Sequence, residues 1–289
     1  DEPFRKDYEA LTAPANCVVG SEGYYQAAQY IQQQIEALEG VELQVHEYQV
    51  MMPVLKEPAT LTTRSGEQFN IYPFWPAHIR LNATPEEGIT GRLVYLNEAR
   101  FDQIDPATLK GQIAVIESTA GRRWREASYF GARAIVVLGN DETNNKDLMT
   151  HELTIPVNIP RFFLPQGPVA DRLRNGELTG EATLKASLAW ESKTARNFYA
   201  LVPGRVKTPA GWKGENPGVL MFSVPYDSSG LVPDLAKGAS QAVQTAAGLN
   251  LLRDFASRPT QRPLMVFFGG ADSIEFTATR QMFMALSDI

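Results

Sequence analysis

At 289 residues, 44% of them apolar, the chain is long enough to bury a sizeable core, and two ordinary domains are expected. A net charge of −6 with no long basic run excludes the cationic face that nucleic-acid phosphates demand, and no apolar run approaches the roughly 18 residues a spanning helix needs. The single cysteine, Cys17, excludes an internal disulfide; with no histidine nearby to activate it, it reads as a small buried apolar residue.

Residues Asp1 to Gly20 read as a short helix and a loop. A helix then runs from Ser21 to about Leu38, with Ala27, Ala28, Ile31, Ile35 and Leu38 on one apolar face, Ser21 as N-cap and Gly40 as stop. Val41 to Val50 alternates apolar and polar, the pattern of a half-buried strand near a sheet edge, with His46 on its polar side. Its expected partner is Ala195 to Gly204. If the two pair, everything between them is an insertion looped out of one domain.

That insertion has a β-rich make-up, with short strands expected at Ala59–Thr63, Gly91–Tyr95, Ile113–Ile116, Ala134–Leu138, Asn158–Phe162 and Ala182–Ala189 between Gly and Pro turns. Asn82-Ala83-Thr84 fits the glycosylation sequon. Arg122, Arg123, Trp124 and Arg125 form the densest cationic aromatic cluster. Guanidinium forks suit a carboxylate, but Trp124 anchoring a solvated helix start is the simpler reading. Tyr72-Pro73-Phe74-Trp75-Pro76 reads as an extended loop. The histidines, His46, His78 and His151, lie far from one another and make no local metal pair.

Pro217 to Met284 carries the most information. Gly218 to Val224 is a continuous apolar run of the kind expected for a strand buried on both faces, and it delivers Pro225-Tyr226-Asp227-Ser228-Ser229-Gly230 at its carboxyl end. A helix from about Ala239 to Phe255 follows, its apolar face read as Val243, Ala247, Leu251 and Leu252. A second strand, Pro263 to Phe268, then ends in Gly269-Gly270-Ala271-Asp272. Strand, crossover helix and strand make a βαβ unit, whose ligand sites lie beyond the carboxyl ends of the strands, so Asp227 and Asp272 are expected in one crevice. Ser228 and Ser229 lie in no Gly-x-Ser-x-Gly elbow, which argues against a serine hydrolase.

This stretch resembles the peptidase domain shared by zinc aminopeptidases, glutamate carboxypeptidases, transferrin receptor and nicastrin. Active members end the first strand in His-Tyr-Asp-Ser, open the helix with Pro-Gly-Ala-Asp-Asp-Asn and end the second strand in Gly-Glu-Glu. Ser21-Glu22-Gly23-Tyr24 resembles the entry helix of that domain, and Ala195-Arg196-Asn197 its Thr-Ala-Arg-Asn-Val strand. Within the insertion, Gly111 to Ile116, Tyr129 to Leu138 and Ile155 to Pro160 resemble a protease-associated domain. The resemblance implies an α/β fold, a three-layer aminopeptidase-like mixed sheet with an inserted β-rich protease-associated domain. Its peptidase-like part is expected at 1–53 and 191–289, and the insertion at 54–190. It also implies a secreted, periplasmic or membrane-tethered setting.

The motif positions are largely emptied of donors. The metal-ligand His position is Pro225, the bridging Asp falls on Ala236 with Lys237 beside it, the general-base Glu is Ala271 and a ligand Glu is Asp272. Proline and alanine have no side-chain donor, whereas a two-zinc site needs several ligands and a base. The carboxylates left, Asp227, Asp234 and Asp272, lack an imidazole and suit Ca²⁺ or Mg²⁺ better than zinc, yet no calcium-loop spacing is present. Tyr226, Asp234 and Lys237 remain as crevice groups for binding. The resemblance places the last two metal ligands of active members beyond Ile289. The expected function is a catalytically inactive zinc-peptidase homologue that binds or scaffolds a protein or peptide, without nucleic acid and with no cofactor, zinc belonging to active relatives. The alternatives are a metal-dependent aminopeptidase completed by ligands outside these residues, and an ectodomain interaction module of a membrane protein.

Overall fold

A computed structural model describes residues 2–76, 79–149, 159–204, 218–233, 235–258 and 260–287, with only the backbone of 286 and 287. His78, His151 and Asp234, and much of the Ile155–Pro160 segment, lie outside the described residues. The chain opens with α1 (Glu2–Thr12) and α2 (Glu22–Glu36), and Ser21 caps α2 by accepting the Tyr24 N–H at 3.1 Å. Next come β1 (Glu42–Leu55), β2 (Thr60–Thr63), β3 (Gln68–Asn70), β4 (Tyr72–Pro73), β5 (Ile89–Tyr95), α3 (Pro106–Leu109), β6 (Ile113–Glu117), α4 (Trp124–Tyr129), β7 (Ala134–Leu138), β8 (Arg161–Leu164), α5 (Pro168–Arg174) and β9 (Glu181–Lys185). The chain continues through β10 (Leu188–Val202), β11 (Leu220–Pro225), α6 (Ala239–Ser257), β12 (Leu264–Gly269) and α7 (Thr277–Ser287). Two compact units result, one of residues 1–52, 192–229 and 233–289, the other of residues 53–191 and 230–232.

The first unit is built on a mixed four-stranded sheet in the order β1, β10, β12, β11. β12 is its centre, antiparallel to β10 with Phe198 opposite Phe268, and parallel to β11 from Leu220 opposite Leu264 to Pro225 opposite Gly269. Phe198, Phe267 and Phe268 are fully buried, each contributing about 1.5–3 kcal/mol of apolar burial. α6 crosses over between β11 and β12, as the apolar runs imply. Its buried face is Ala242, Thr245, Ala246, Leu249 and Leu252, however, and Val243 is 45% exposed. Small residues set that rotation. A Cβ on Gly248 would lie 3.1 Å from Val224 and 3.3 Å from Phe268, so the glycine lets the helix close on both strands.

Two further expectations for this unit are overturned. β11 is not buried on both faces: it is the sheet edge, and Val219, Leu220, Met221 and Phe222 are 53%, 48%, 37% and 40% exposed. An apolar run reports what a strand can bury, and an edge position leaves it uncovered. His46 is half-buried on the face that Tyr48 and Val50 turn inward, its ring 5.3 Å from that of Tyr48, while Val45 points out. The apolar alternation changes phase after Val45, and the larger Tyr48 and Val50 decide which face goes in.

The second unit holds an eight-stranded sheet in the order β3, β2, β9, β5, β6, β7, β8, β4. Its middle, β5 to β8, is parallel, and the flanking pairs are antiparallel. β6 and β7 carry the core: Ile113 to Ile116 and Ala134 to Leu138 are buried throughout, as parallel strands covered on both faces require. Tyr72 and Pro73 form β4 against β8 rather than a loop. The Asn82 amide is buried, donating to the Phe74 carbonyl at 3.0 Å and accepting the Arg161 N–H at 3.0 Å, so the folded sequon presents no acceptor for glycosylation.

Candidate functional site

Because β11 and β12 are parallel and in register to Pro225 and Gly269, their carboxyl ends deliver Pro225-Tyr226-Asp227 and Gly270-Ala271-Asp272 side by side. The Tyr226 N–H extends the ladder by one step, donating to the Gly269 carbonyl at 3.0 Å. Asp227 and Asp272 therefore meet, as the βαβ reading anticipates.

They meet as fasteners of the backbone. Asp227 is fully buried, and its carboxylate accepts the Asp272 N–H at 2.9 Å, the Ser273 N–H at 3.1 Å and the Ser273 hydroxyl. Burial pushes its carboxyl up to about 7 against these three donors, which favour the charged form, and the neighbouring Asp272 adds to the rise. Asp272, half-buried, turns the other way: it accepts the Thr279 N–H at 2.8 Å and the Thr279 hydroxyl at 3.0 Å, capping the start of α7. Both aspartates thus hold the turn after β12 in place.

Beneath the turn lies an aromatic and amide lattice. The rings of Tyr24 and Tyr226 stack with centroids 5.3 Å apart. The Tyr226 hydroxyl lies 2.8 Å from that of Tyr24 and 2.7 Å from the Arg196 carbonyl, and the Tyr24 hydroxyl accepts the Arg196 N–H at 2.9 Å. Burial drives the phenol of Tyr226 well above its usual range. Gly270 sits on this lattice so tightly that a Cβ would lie 2.1 Å from the Arg196 carbonyl and 2.5 Å from the Tyr24 hydroxyl. The Asn197 carbonyl oxygen accepts the Gly270 N–H at 3.1 Å and the Tyr48 hydroxyl at 3.0 Å, while its amide donates to the Ala278 carbonyl at 3.2 Å.

On the other flank the Cys17 N–H donates to the Ala236 carbonyl at 3.1 Å, the Ser228 hydroxyl donates to the same carbonyl, and the Ser228 N–H donates to the Cys17 carbonyl at 2.8 Å. The Cys17 thiol, donating to the Tyr226 carbonyl at 3.1 Å, is pushed up to about 12, first by burial and then by the charge of Asp227. Thr245 of α6 donates its hydroxyl to the Pro225 carbonyl at 3.1 Å.

The donor set can be tested against a zinc pair. Pro225 has no donor, Ala236 offers only a carbonyl that already accepts two hydrogen bonds, Ala271 is a buried methyl, and the oxygens of Asp227 and Asp272 are taken by backbone and hydroxyl donors. Among the described residues no group of three or more His, Cys, Asp or Glu side chains is placed to hold a metal ion. These residues do not fit zinc, whose sites need three or four nitrogen, sulfur or carboxylate ligands converging on one point.

Of the residues singled out from sequence, Pro225, Tyr226, Asp227, Ala236, Ala271 and Asp272 come together in this region of the first unit, and Lys237 is half-buried beside Ala236. Tyr226 is only 3% exposed, which makes it part of the lattice and not a lining residue. Sequence reasoning read Cys17 as buried, as it is, but gave no place at the site to Cys17, Tyr24, Asn197, Ser273 and Thr279. Of these, Tyr24 and Asn197 had a signal only in the stretches that resemble the peptidase domain, Ser21 to Tyr24 and Ala195 to Asn197.

Comparison with solved structures gives the fold. The zinc aminopeptidase BSAP of Bacillus subtilis is similar at a TM-score of 0.64 and 18% identity, covering 93% of this chain and 61% of that one. The peptidase M28 precursor of Shewanella amazonensis SB2B is similar at 0.65 and 17%, covering 100% and 68%, and the aminopeptidase of Aneurinibacillus sp. strain AM-1 at 0.53 and 22%, covering 94% and 62%. This chain has the mixed α/β fold of the zinc aminopeptidases, and it spans about three fifths of the length of the BSAP and Aneurinibacillus enzymes. No protein-family model and no curated sequence matches it.

Proposed function

We propose that the chain is a peptidase-family homologue that works by binding a protein or peptide and not by hydrolysis. The second unit would be a protease-associated insertion and the setting extracytoplasmic. One observation carries the reading: the two carboxylates left at the motif positions are engaged by five donors of their own turn and helix, while the remaining positions are Pro225, Ala236 and Ala271. Freeing Asp227 for a metal would leave the partly buried N–H groups of Asp272 and Ser273 without these acceptors, at up to about 1–3 kcal/mol each. The fold of the aminopeptidases supports the homology. The test is elemental analysis of the protein equilibrated with zinc, together with aminoacyl-anilide hydrolysis. Substoichiometric metal and no turnover are expected; two zinc ions per chain, or turnover lost on chelation, would refute the proposal.

A further inference from the structure

A second candidate site, independent of the first, lies wholly in the second unit. At the carboxyl ends of β6 and β7, where ligand sites of parallel sheets form, a cleft of about 300 Å³ opens past Ile116 and Val137. That volume is the lower end of the range for small-molecule sites.

Its walls are of two kinds. Phe74, Trp124 and Met149 give an apolar side. Trp124 and Phe74 are held in place, because the Arg161 guanidinium lies over both rings, 4.4 Å and 5.4 Å from their centroids. The polar side has Arg122 and Lys146. Gly121, at φ 55 and ψ −118, breaks the helical turn just before Arg122, so the arginine enters the cleft wall from a kink and not from the middle of a helix.

The two acids on the lining already serve the fold. The Glu117 carboxylate takes a two-pronged pair from Arg174 at 2.9 Å on each oxygen and the Tyr95 hydroxyl at 2.8 Å, and Asp147 closes a capping box by accepting the Asn144 N–H at 2.9 Å. Arg122 and Lys146 are the cations among the lining residues.

We propose that this cleft binds a carboxylate carrying one aromatic or large apolar group, with Arg122 and Lys146 receiving the carboxylate and Phe74, Trp124 and Met149 the apolar group. A free small carboxylate and the C-terminal residue of a peptide share that chemistry.

The experiment is calorimetric titration of the full chain with N-acetyl-L-phenylalanine, its neutral amide, and the peptide acid Ala-Ala-Phe. Binding of the acetylated acid with a Kd below about 1 mM is expected, with the amide weaker by tenfold or more, the fold-change for losing one hydrogen bond between charged partners. Arg122→Gln and Lys146→Gln should each weaken the acid by about tenfold. Lys185→Gln, a charge-matched change at an exposed position of β9, should leave it unaltered. Equal or tighter binding of the peptide acid assigns the site to peptide C-termini, and its exclusion assigns it to free carboxylates. Equal binding of acid and amide, binding indifferent to both substitutions, or no saturation by any of the three overturns the proposal. Far-UV circular dichroism of each variant separates lost binding from lost folding.

Discussion

Replacing Asp227 by asparagine probes the candidate site at its most constrained group. The native carboxyl is fully buried, with its pKa raised from 3.8 to about 7 by burial, although three donors from Asp272 and Ser273 oppose the rise. Between those two values the folded protein holds a proton that the unfolded chain has released. Stability from this group is therefore fully present below about 3.8 and is lost as pH rises through about 7. At 1.36 kcal/mol per pH unit the whole swing amounts to about 4 kcal/mol. Asparagine keeps the shape, keeps one carbonyl acceptor and cannot ionise. Its stability minus that of the native protein should thus climb by about 4 kcal/mol as pH goes from 4 to 8, with plateaus outside that window. Urea unfolding of both proteins across the range gives the difference directly, and the other titrating groups cancel in it. A flat difference would refute the argument. A difference that falls with rising pH would show the opposite sign, with the three hydrogen bonds outweighing burial and holding the carboxyl below 3.8.

Three further outcomes test the frame around that group. Gly270→Ala places a methyl 2.1 Å from the Arg196 carbonyl and 2.6 Å from the Tyr226 hydroxyl, and should cost about 1–3 kcal/mol in urea unfolding; an unchanged midpoint would show that the turn can move. Arg253→Met strips the partner from Asp7, a 1% exposed side chain on α1 that takes both guanidinium nitrogens, at 2.5 and 2.9 Å, and the Tyr30 hydroxyl. The single variant should lose about 3–5 kcal/mol, and Asp7→Asn with Arg253→Met should recover much of it; a double variant no better than the single would remove the buried-charge explanation. Cys17, with its thiol pushed up to about 12 and its sulfur donating to the Tyr226 carbonyl, should react with iodoacetamide only at the rate of unfolding. Fast labelling of the native protein would contradict that burial.

Where the sequence carried a local pattern, the elements could be read from it. The Ser21 cap, the α6 crossover and the strands that lead to Asp227 and Asp272 all declare themselves within a few residues, through a hydroxyl before an apolar helix face or an apolar run before a turn. The rotation of α6 and the exposure of β11 could not be read so. Both depend on what lies across the interface, and small residues such as Ala242 and Gly248 carry little apolar signal although they permit the closest approach. The lattice was invisible for a related reason. Tyr24 and Tyr226 are 202 positions apart, and nothing in either neighbourhood says that one hydroxyl will reach the other.

The lattice also accounts for a well-fixed turn beside Pro225, Ala236 and Ala271, whose side chains offer no metal donor. Gly270 must remain small because the Arg196 carbonyl and two tyrosine hydroxyls crowd it, and Asn197 must remain an amide because it accepts from Gly270 and donates to Ala278 at once. Neither requirement involves Pro225, Ala236 or Ala271. A turn fastened from below by tyrosines and from the side by Asp227 does not depend on an ion for its shape. Asp227 fastens the turn by accepting the N–H groups of Asp272 and Ser273 and the Ser273 hydroxyl, and those three donors offset part of the cost of burying its charge.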